Sequence, residues 1–407
     1  MQGLACGVMG MSMKTGNARM IKEINTALIM EEMRKTEEIT RNELAMRTGL
    51  TPPTVLHIVG ELIDLGLVRE TELGESTGGR RPRLLQLNPD GGYVIGAEID
   101  DDITSLCLAD LRVGIRAKVR LPNRVLAPER VLAGVKEGIQ RLIDRAGVDP
   151  GRVFGAGVVL PGLVEKVEGI CVHSTRLGWH NVPVKEWLEE ETGIPVLVDH
   201  VVRGIALAES TFGAATNAKD VLCVRIGRGI GAALVVDGDV YQGSNGSLGE
   251  LGHMVVWPEG PRCGCGLVGC LEAIASEAAL VTSYRNLRPE IGEGPLRGTD
   301  ILARGETDEA AAHVLRQAGY YLGLGLANCV KLLNPELLVI SGFLKGGTVM
   351  WEEMRRVIAE QVFSSQLAVL RILPGALVAD AGALGGCALV LREVYSRPME
   401  LKARLRG

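Results

Sequence analysis

Apolar residues first recur with a helical period near the N-terminus. From Arg19 to about Met33, Ile21, Ile24, Leu28 and Ile29 fall at the 3.6-residue spacing of a helix face. A second, shorter helix is predicted over 40–46, where Thr40 stands as N-cap and Glu43 follows three positions later, the reciprocal pairing of a capping box. The turn Thr48-Gly49-Leu50 comes next. Thr51-Pro52 then supplies a cap and an N1 proline for a third helix, whose Val55, Ile58, Val59 and Leu62 share one face. The stretch 65–70 reads as a strand entering a hairpin, and Leu84, Leu85 and Leu87 as its return. After Asn88-Pro89, strands are predicted at 93–99, 106–111, 153–160, 196–198, 221–226, 232–236 and 337–340, with helices between them, clearest at 128–146 and 310–333. Strands alternating with helices, and glycine-rich turns at strand ends, imply layered α/β domains with a ligand cleft at those ends.

The opening pattern of helix, glycine turn, capped helix and hairpin is that of a winged helix-turn-helix. The polar face of its third helix presents Thr51, Pro53, Thr54 and His57 where base edges are met, and the hairpin tip carries Arg80, Arg81 and Arg83. With Arg41 and Arg47 near the second helix, these arginines make a local basic footprint, and the three wing arginines have no nearby acids to pair with. The partner implied is a double-stranded DNA operator, palindromic and read by a homodimer or dimer of dimers. A wing used for protein contacts is the competing reading.

Composition sets limits on the rest. The 407 residues are 46% hydrophobic and 3% aromatic, with a formal net charge of −5. That excludes wholesale coating of nucleic acid and a polybasic membrane anchor, but not a small DNA-reading module. No apolar run reaches the length of a membrane span, and Met1–Gly16 lacks the features of a signal peptide, so a cytoplasmic location is expected. Residues 1–18 are expected to be a flexible N-terminus.

The densest chemistry lies between Gly243 and Glu272. Cys263, Cys265 and Cys270 follow a C-x-C-G-x-x-G-C spacing, with His253 ten positions before the first. Three thiolates and an imidazole make a closed tetrahedral set, the composition of a structural zinc site. Glycines permit the tight turns that bring such closely spaced sulfurs onto one ion. Buried free cysteines belong in apolar elements instead, and a disulfide fits poorly with a chain lacking a secretion signal.

Glu250-Leu-Gly-His253, followed by the cysteine run through Glu272, resembles the signature of the ROK family, which groups sugar kinases with sugar-responsive repressors. The runs at 178–183, 208–214, 227–232, 334–342 and 383–388 fall in the family's order, so that the resemblance covers Met20 to Tyr395. With the N-terminal winged helix it points to the repressor branch. It implies an actin-like, two-lobed fold of the hexokinase kind with a zinc loop beside a sugar pocket: a DNA-binding domain at 19–90, a smaller α/β lobe at 91–200 and 385–407, and a larger one at 201–384. By position, Glu250, His253 and Glu272 match sugar-contacting residues, and Gly162, Ser174, Thr175 and His200 lie where further contacts would arise. Trp179 stands either as an apolar face for a pyranose or as plain core.

Two departures bear on chemistry. The kinases' Asp-x-Gly-Gly-Thr phosphate turn is replaced by Glu98-Ile99-Asp100-Asp101-Asp102, whose carboxylates would repel a triphosphate and whose β-carbons block close backbone approach. The kinases' Asn-Asp pair, which holds the general base, here reads His200-Val201, and valine accepts no proton. The expectation is a non-enzymatic transcriptional regulator of carbohydrate metabolism, with a sugar or sugar derivative as effector. The alternatives are an active ATP-dependent sugar kinase with an appended DNA-binding domain, in which His200 itself serves as base, and a scaffold that has lost both activities.

Overall fold

A computed structural model describes residues 18–73, 83–244, 246–377 and 380–397. They divide into two compact units, Met1–Gly91 with Arg392–Gly407, and Gly92–Leu391. Of the described C-terminal residues, Arg392–Arg397 group with the first unit. No helix among the described residues is long and apolar enough to cross a membrane.

The first unit contains α1 (Ala18–Arg34), β1 (Ile39–Thr40), α2 (Arg41–Thr48), α3 (Pro52–Asp64), β2 (Val68–Leu73) and β3 (Arg83–Leu87), with the strands ordered β1-β3-β2. Both caps form as read. The Thr40 hydroxyl accepts from Glu43 N while Glu43 returns a bond to Thr40 N, and the Thr51 hydroxyl accepts from Thr54 N. Gly49, at φ 69°, takes the left-handed turn between α2 and α3. Leu44, Val55, Ile58, Val59, Leu62 and Leu85 make the core. On α1 the packed stripe is Thr26, Ile29, Met30 and Met33, spaced i, i+3, i+4, i+7. Ile21, Ile24 and Leu28, whose spacing signalled the helix, are 53%, 52% and 43% exposed.

The second unit begins with β4 (Tyr93–Ile99), β5 (Ile103–Asp110), β6 (Ile115–Pro122), α4 (Pro128–Ala146), β7 (Val153–Leu160), β8 (Leu163–Glu165), β9 (Ile170–Ser174), β10 (Trp179–Pro183), α5 (Val184–Thr192), β11 (Val196–His200) and α6 (Val201–Phe212). It continues with β12 (Val221–Ile226), β13 (Ile230–Val236), β14 (Asp239–Tyr241), α7 (Glu272–Ala275), α8 (Glu277–Leu287), α9 (Gly298–Arg304), α10 (Glu309–Leu333), β15 (Leu337–Gly342), α11 (Val349–Gln361), α12 (Ser364–Leu367), β16 (Arg371–Pro374) and α13 (Ala381–Ser396).

Two five-stranded sheets organise these elements into two lobes. The first is ordered β11-β7-β4-β5-β6 and the second β16-β15-β12-β13-β14. In each, an antiparallel meander of three strands is followed by two strands added in parallel to the meander's first. One topology is therefore used twice. The chain shows no obvious internal repeat to the eye because what recurs is a pairing order, which many apolar sequences satisfy. A small sheet, β10-β9-β8, stands beside the first lobe.

Helix α13 lies close against the first sheet. A Cβ on Gly96 would come within 1.8 Å of the Ala383 carbonyl oxygen, a distance no side chain tolerates. On α10, a Cβ at Gly319 would sit 2.6 Å from the Met350 carbonyl oxygen of α11, so these two helices also approach at glycine. Strands β1, β6, β8, β9, β10, β14 and β16 escaped the sequence reading, because very short or half-exposed strands of mixed composition leave little periodic signal.

Candidate functional site

The cysteine loop is positioned by backbone contact with β13. The 3₁₀ turn Leu251–His253 presses there so closely that a Cβ on Gly249 or Gly252 would lie 1.9 Å or 2.3 Å from the carbonyl oxygen of Ala232 or Ile230. Downstream, Gly266 N donates to Cys263 O and Cys263 N to Leu267 O, closing a tight turn. Gly269 adopts φ 79° with its α-carbon against the Trp257 carbonyl, where a Cβ would be 1.7 Å from the oxygen. The Trp257 indole stacks on the Tyr321 ring of α10 at 5.2 Å.

These turns bring one ligand atom each from His253, Cys263, Cys265 and Cys270 within 4.8 Å of one another. Cys265 Sγ lies 3.7 Å from Cys270 Sγ, and Cys263 Sγ 3.7 Å from His253 Nδ1. A tetrahedral ion with bonds of about 2.3 Å to sulfur and about 2.0 Å to nitrogen would set these separations at about 3.8 and 3.5 Å. The four residues named from the sequence thus lie close enough together to hold a metal ion. His253 Nε2 faces the other way, 3.8 Å from Glu250 Oε2.

On that other side lies a cavity of about 530 Å³, lined from both lobes. Gly162, Ser174, Thr175, His200, Glu250, His253 and Glu272, the seven residues expected from the resemblance, all line it. Gly162 sits at φ 114° with its α-carbon against the His173 carbonyl, so the wall there is bare backbone. Glu272 is held by Ile230 N, which donates to its Oε2 at 3.1 Å. Trp179 is core: it is 1% exposed and its indole donates to Leu126 O at 2.7 Å.

His200 caps α6, its Nδ1 accepting from Val202 N at 3.3 Å. Burial, helped by Arg203 and Arg225 and opposed by Asp199, pushes its pKa down to about 4, so the ring is neutral near pH 7. Val201 lines the cavity beside it. Asp199 does not; it is 3% exposed, and its Oδ1 accepts from Arg203 Nε at 2.5 Å. Strand alternation, continued to His200, turns the one nearby carboxylate away from the cavity, as expected.

The carboxylates of 98–102 differ from the sequence expectation. They are countered rather than free: Glu98 meets Arg225 at 2.5 Å, Asp100 meets Arg176 at 3.1 Å, Asp101 meets Arg228 at 3.1 Å, and Asp102 lies 3.8 Å from Arg228 and 3.7 Å from Arg297. The Arg225 side chain is largely buried; burial alone would lower its pKa, but Glu98 and Asp100 raise it above its ordinary value. Burial raises the Asp101 carboxyl, opposed by Arg176 and Arg228. Asp101, His173, Arg176, Arg225 and Arg228 also line the cavity and were missed, since no spacing pattern links residues that meet only in the folded chain.

In the N-terminal unit, Thr51, Pro53 and His57 are exposed at the start of α3 and Thr54 is partly so, together on one surface. Arg41 and Arg83 converge on a shared acid, Glu70, Arg41 at 2.7 Å. That corrects the expectation of an unpaired wing: β2 and β3 face each other, and the acid on one strand was not visible as a neighbour along the chain. Arg80 and Arg81 lie outside the described residues.

Residues 94–393 match the profile of the ROK family, and residues 25–69 that of a winged helix-turn-helix DNA-binding domain. The chain is 30% identical over 396 residues to the xylose repressor of Caldicellulosiruptor bescii, covering 94% of this chain and 99% of that one. It is 31% identical over 333 residues to the N-acetylglucosamine repressor of Escherichia coli O6:H1, covering 80% and 82% of the two chains. Among solved structures, a ROK family transcriptional regulator described as a homologue of the E. coli MLC protein superposes with a TM-score of 0.82 at 29% identity, covering 95% of this chain and 100% of that one.

Proposed function

The chain belongs to the ROK family, and we propose that it works there as a DNA-binding transcriptional repressor of carbohydrate metabolism whose sugar-kinase-like body senses a sugar without phosphorylating it. The observation that carries this reading is the pairing of a capped helix-turn-helix with a cavity whose general-base position is Val201. Binding hydroxyls needs only fixed donors and acceptors. Phosphotransfer also needs a base and a place for the phosphates, and here the nearest aspartate, Asp199, is tied to Arg203.

In this reading Glu250, Glu272, His253 and His200 recognise sugar hydroxyls, with Gly162, Ser174 and Thr175 forming the facing wall. Zinc held by His253, Cys263, Cys265 and Cys270 is structural: all four tetrahedral positions are filled by protein, leaving none for a water nucleophile. His253, holding such an ion through Nδ1, would have its ring fixed with Nε2 presented to the cavity, an indirect use of the ion in recognition. Thr51, Pro53, Thr54 and His57 meet base edges, while Arg41, Arg83 and the wing arginines Arg80 and Arg81 meet phosphates. A homodimer presents two such units to a palindromic operator, in the cytoplasm, and ligand-driven lobe movement alters the spacing they span.

The test is a mobility-shift assay with the chain's own promoter DNA at low salt, repeated with a sugar panel headed by xylose and N-acetylglucosamine, alongside a coupled ADP-release assay. Specific retardation relieved by one sugar, with no ADP released, is the expected result. Appreciable sugar-dependent turnover would establish a kinase with an appended DNA-binding domain instead.

A further inference from the structure

The two lobes share one topology, and equivalent residues of that topology meet across the cleft. The first hairpin of each sheet closes at Ile99↔Thr104 in one lobe and Ile226↔Ile230 in the other. Aligning Ile99 with Ile226 places Glu98 on Arg225 and Asp101 on Arg228. These are the residues in contact: Glu98 Oε1 with Arg225 Nη2 at 2.5 Å, and Asp101 Oδ2 with Arg228 Nη2 at 3.1 Å.

Longer contacts brace the same join. Arg225 approaches Asp100 at 3.8 Å, Arg228 approaches Asp102 at 3.8 Å, and Arg297, at the start of α9, approaches Asp102 at 3.7 Å. From within the first lobe, Arg176 holds Asp100 at 3.1 Å and Asp101 at 3.5 Å. Glu98, Asp100, Asp101 and Asp102 therefore face Arg176, Arg225, Arg228 and Arg297, equal in number, and all but Arg176 come from the opposite lobe. The charge balance is complete without an anion from solution.

We propose that these hairpin tips form a clasp that holds the two lobes together by their own charges until a ligand enters the cleft, with no nucleotide bridging them. Separating the lobes would part the Arg225 guanidinium from the Glu98 carboxylate, and this pair, largely buried on both sides, is less screened by solvent than the outer ones. The outer pairs, with Arg228 and Arg297 partly in solvent, are weakened by salt, so closure answers to ionic strength. Arg176, Arg225, Arg228 and Asp101 also line the cavity, which makes the clasp available to a ligand bound there. The clasp stands on this geometry alone, independent of whether the chain regulates genes.

Amide hydrogen exchange of the full-length chain tests it, because each tip carries its own protected amide: Asp100 N donates to Ile103 O and Gly227 N to Gly229 O. Asp101→Arg or Arg228→Asp should speed exchange at both tips about tenfold, as should a rise in salt to about 0.5 M, while the double swap D101R/R228D should bring it back. A single reversal that affects only its own tip, or a swap no better than the singles, would overturn the proposal. Should the reversals fail to fold, Arg228→Gln and Asp102→Asn remove charge without adding any. These must loosen both tips by a smaller factor, and unchanged exchange in them rejects the clasp.

Discussion

A Cβ built on Gly157 would lie 1.9 Å from the carbonyl oxygen of Gly386, so strand β7 and helix α13 touch backbone to backbone. Neither partner is a flexible side-chain end that could swing aside. Gly157→Ala is therefore expected to push α13 off the sheet and to destabilise the second unit by about 1–3 kcal/mol, the usual range for an overpacked core. Urea unfolding followed by circular dichroism measures this, and an unchanged midpoint would contradict the contact.

The spacing of His253, Cys263, Cys265 and Cys270 predicts about one zinc ion per chain, from ligand sets of this composition. Metal analysis of the purified protein checks it. Cys263→Ser should abolish that stoichiometry and lower the thermal midpoint. It should also weaken sugar binding, because His253 loses the bond that orients it; retained affinity in the metal-free variant would mean that the ring is positioned by protein contacts alone.

His200 gives the native state a pH dependence with a definite sign. Its pKa is about 4 when folded, against about 6.5 for an unfolded chain. Above pH 6.5 both states hold the ring neutral and nothing changes. As pH falls from 6.5 towards 4 the unfolded chain takes up a proton that the native state refuses, so stability declines, by at most roughly 3 kcal/mol. Urea midpoints of the wild type and His200→Gln should keep a constant gap above pH 7, and the wild type should lose ground below pH 6; parallel curves down to pH 4.5 would show that His200 titrates normally.

Glu70 draws two candidate phosphate-binding arginines, Arg41 and Arg83, onto one carboxylate. Glu70→Gln should free positive charge and tighten operator binding, steepening the slope of log K against log salt by up to about one unit. Arg83→Ala should weaken binding to all sequences alike, whereas Thr54→Ala should cost about 1 kcal/mol on the cognate site only. Fluorescence anisotropy across a salt series, with specific and scrambled duplexes, separates the cases. Looser binding by E70Q would mean that Glu70 positions these arginines.

Local chemistry was the most legible part of the chain. The caps at Thr40 and Thr51 depend on residues three positions apart, and the limits of α4, β7 and β12 follow from continuous periodicity. The cluster of candidate ligands was equally plain, since its three cysteines share one loop. What sequence reading missed depends on distant strands meeting. Glu98 and Arg225 are 127 positions apart, and only the paired sheets make them neighbours. The carboxylates of 98–102 read as repulsive because all their counter-charges are distant in the chain, and three of the four lie in another lobe. Trp179 was undecidable for the same reason: an indole beside a pocket and an indole under it have the same sequence neighbours.

The stack of Trp257 on Tyr321 joins the cysteine loop to α10, and it gives the loop an optical signature. The chain has only four tryptophans, and an indole lying flat on a phenol ring emits differently from one released to water. Any event that lifts the loop from the helix, binding or removal of a metal ion at the cysteines included, is therefore readable as a change in intrinsic fluorescence, with no label attached.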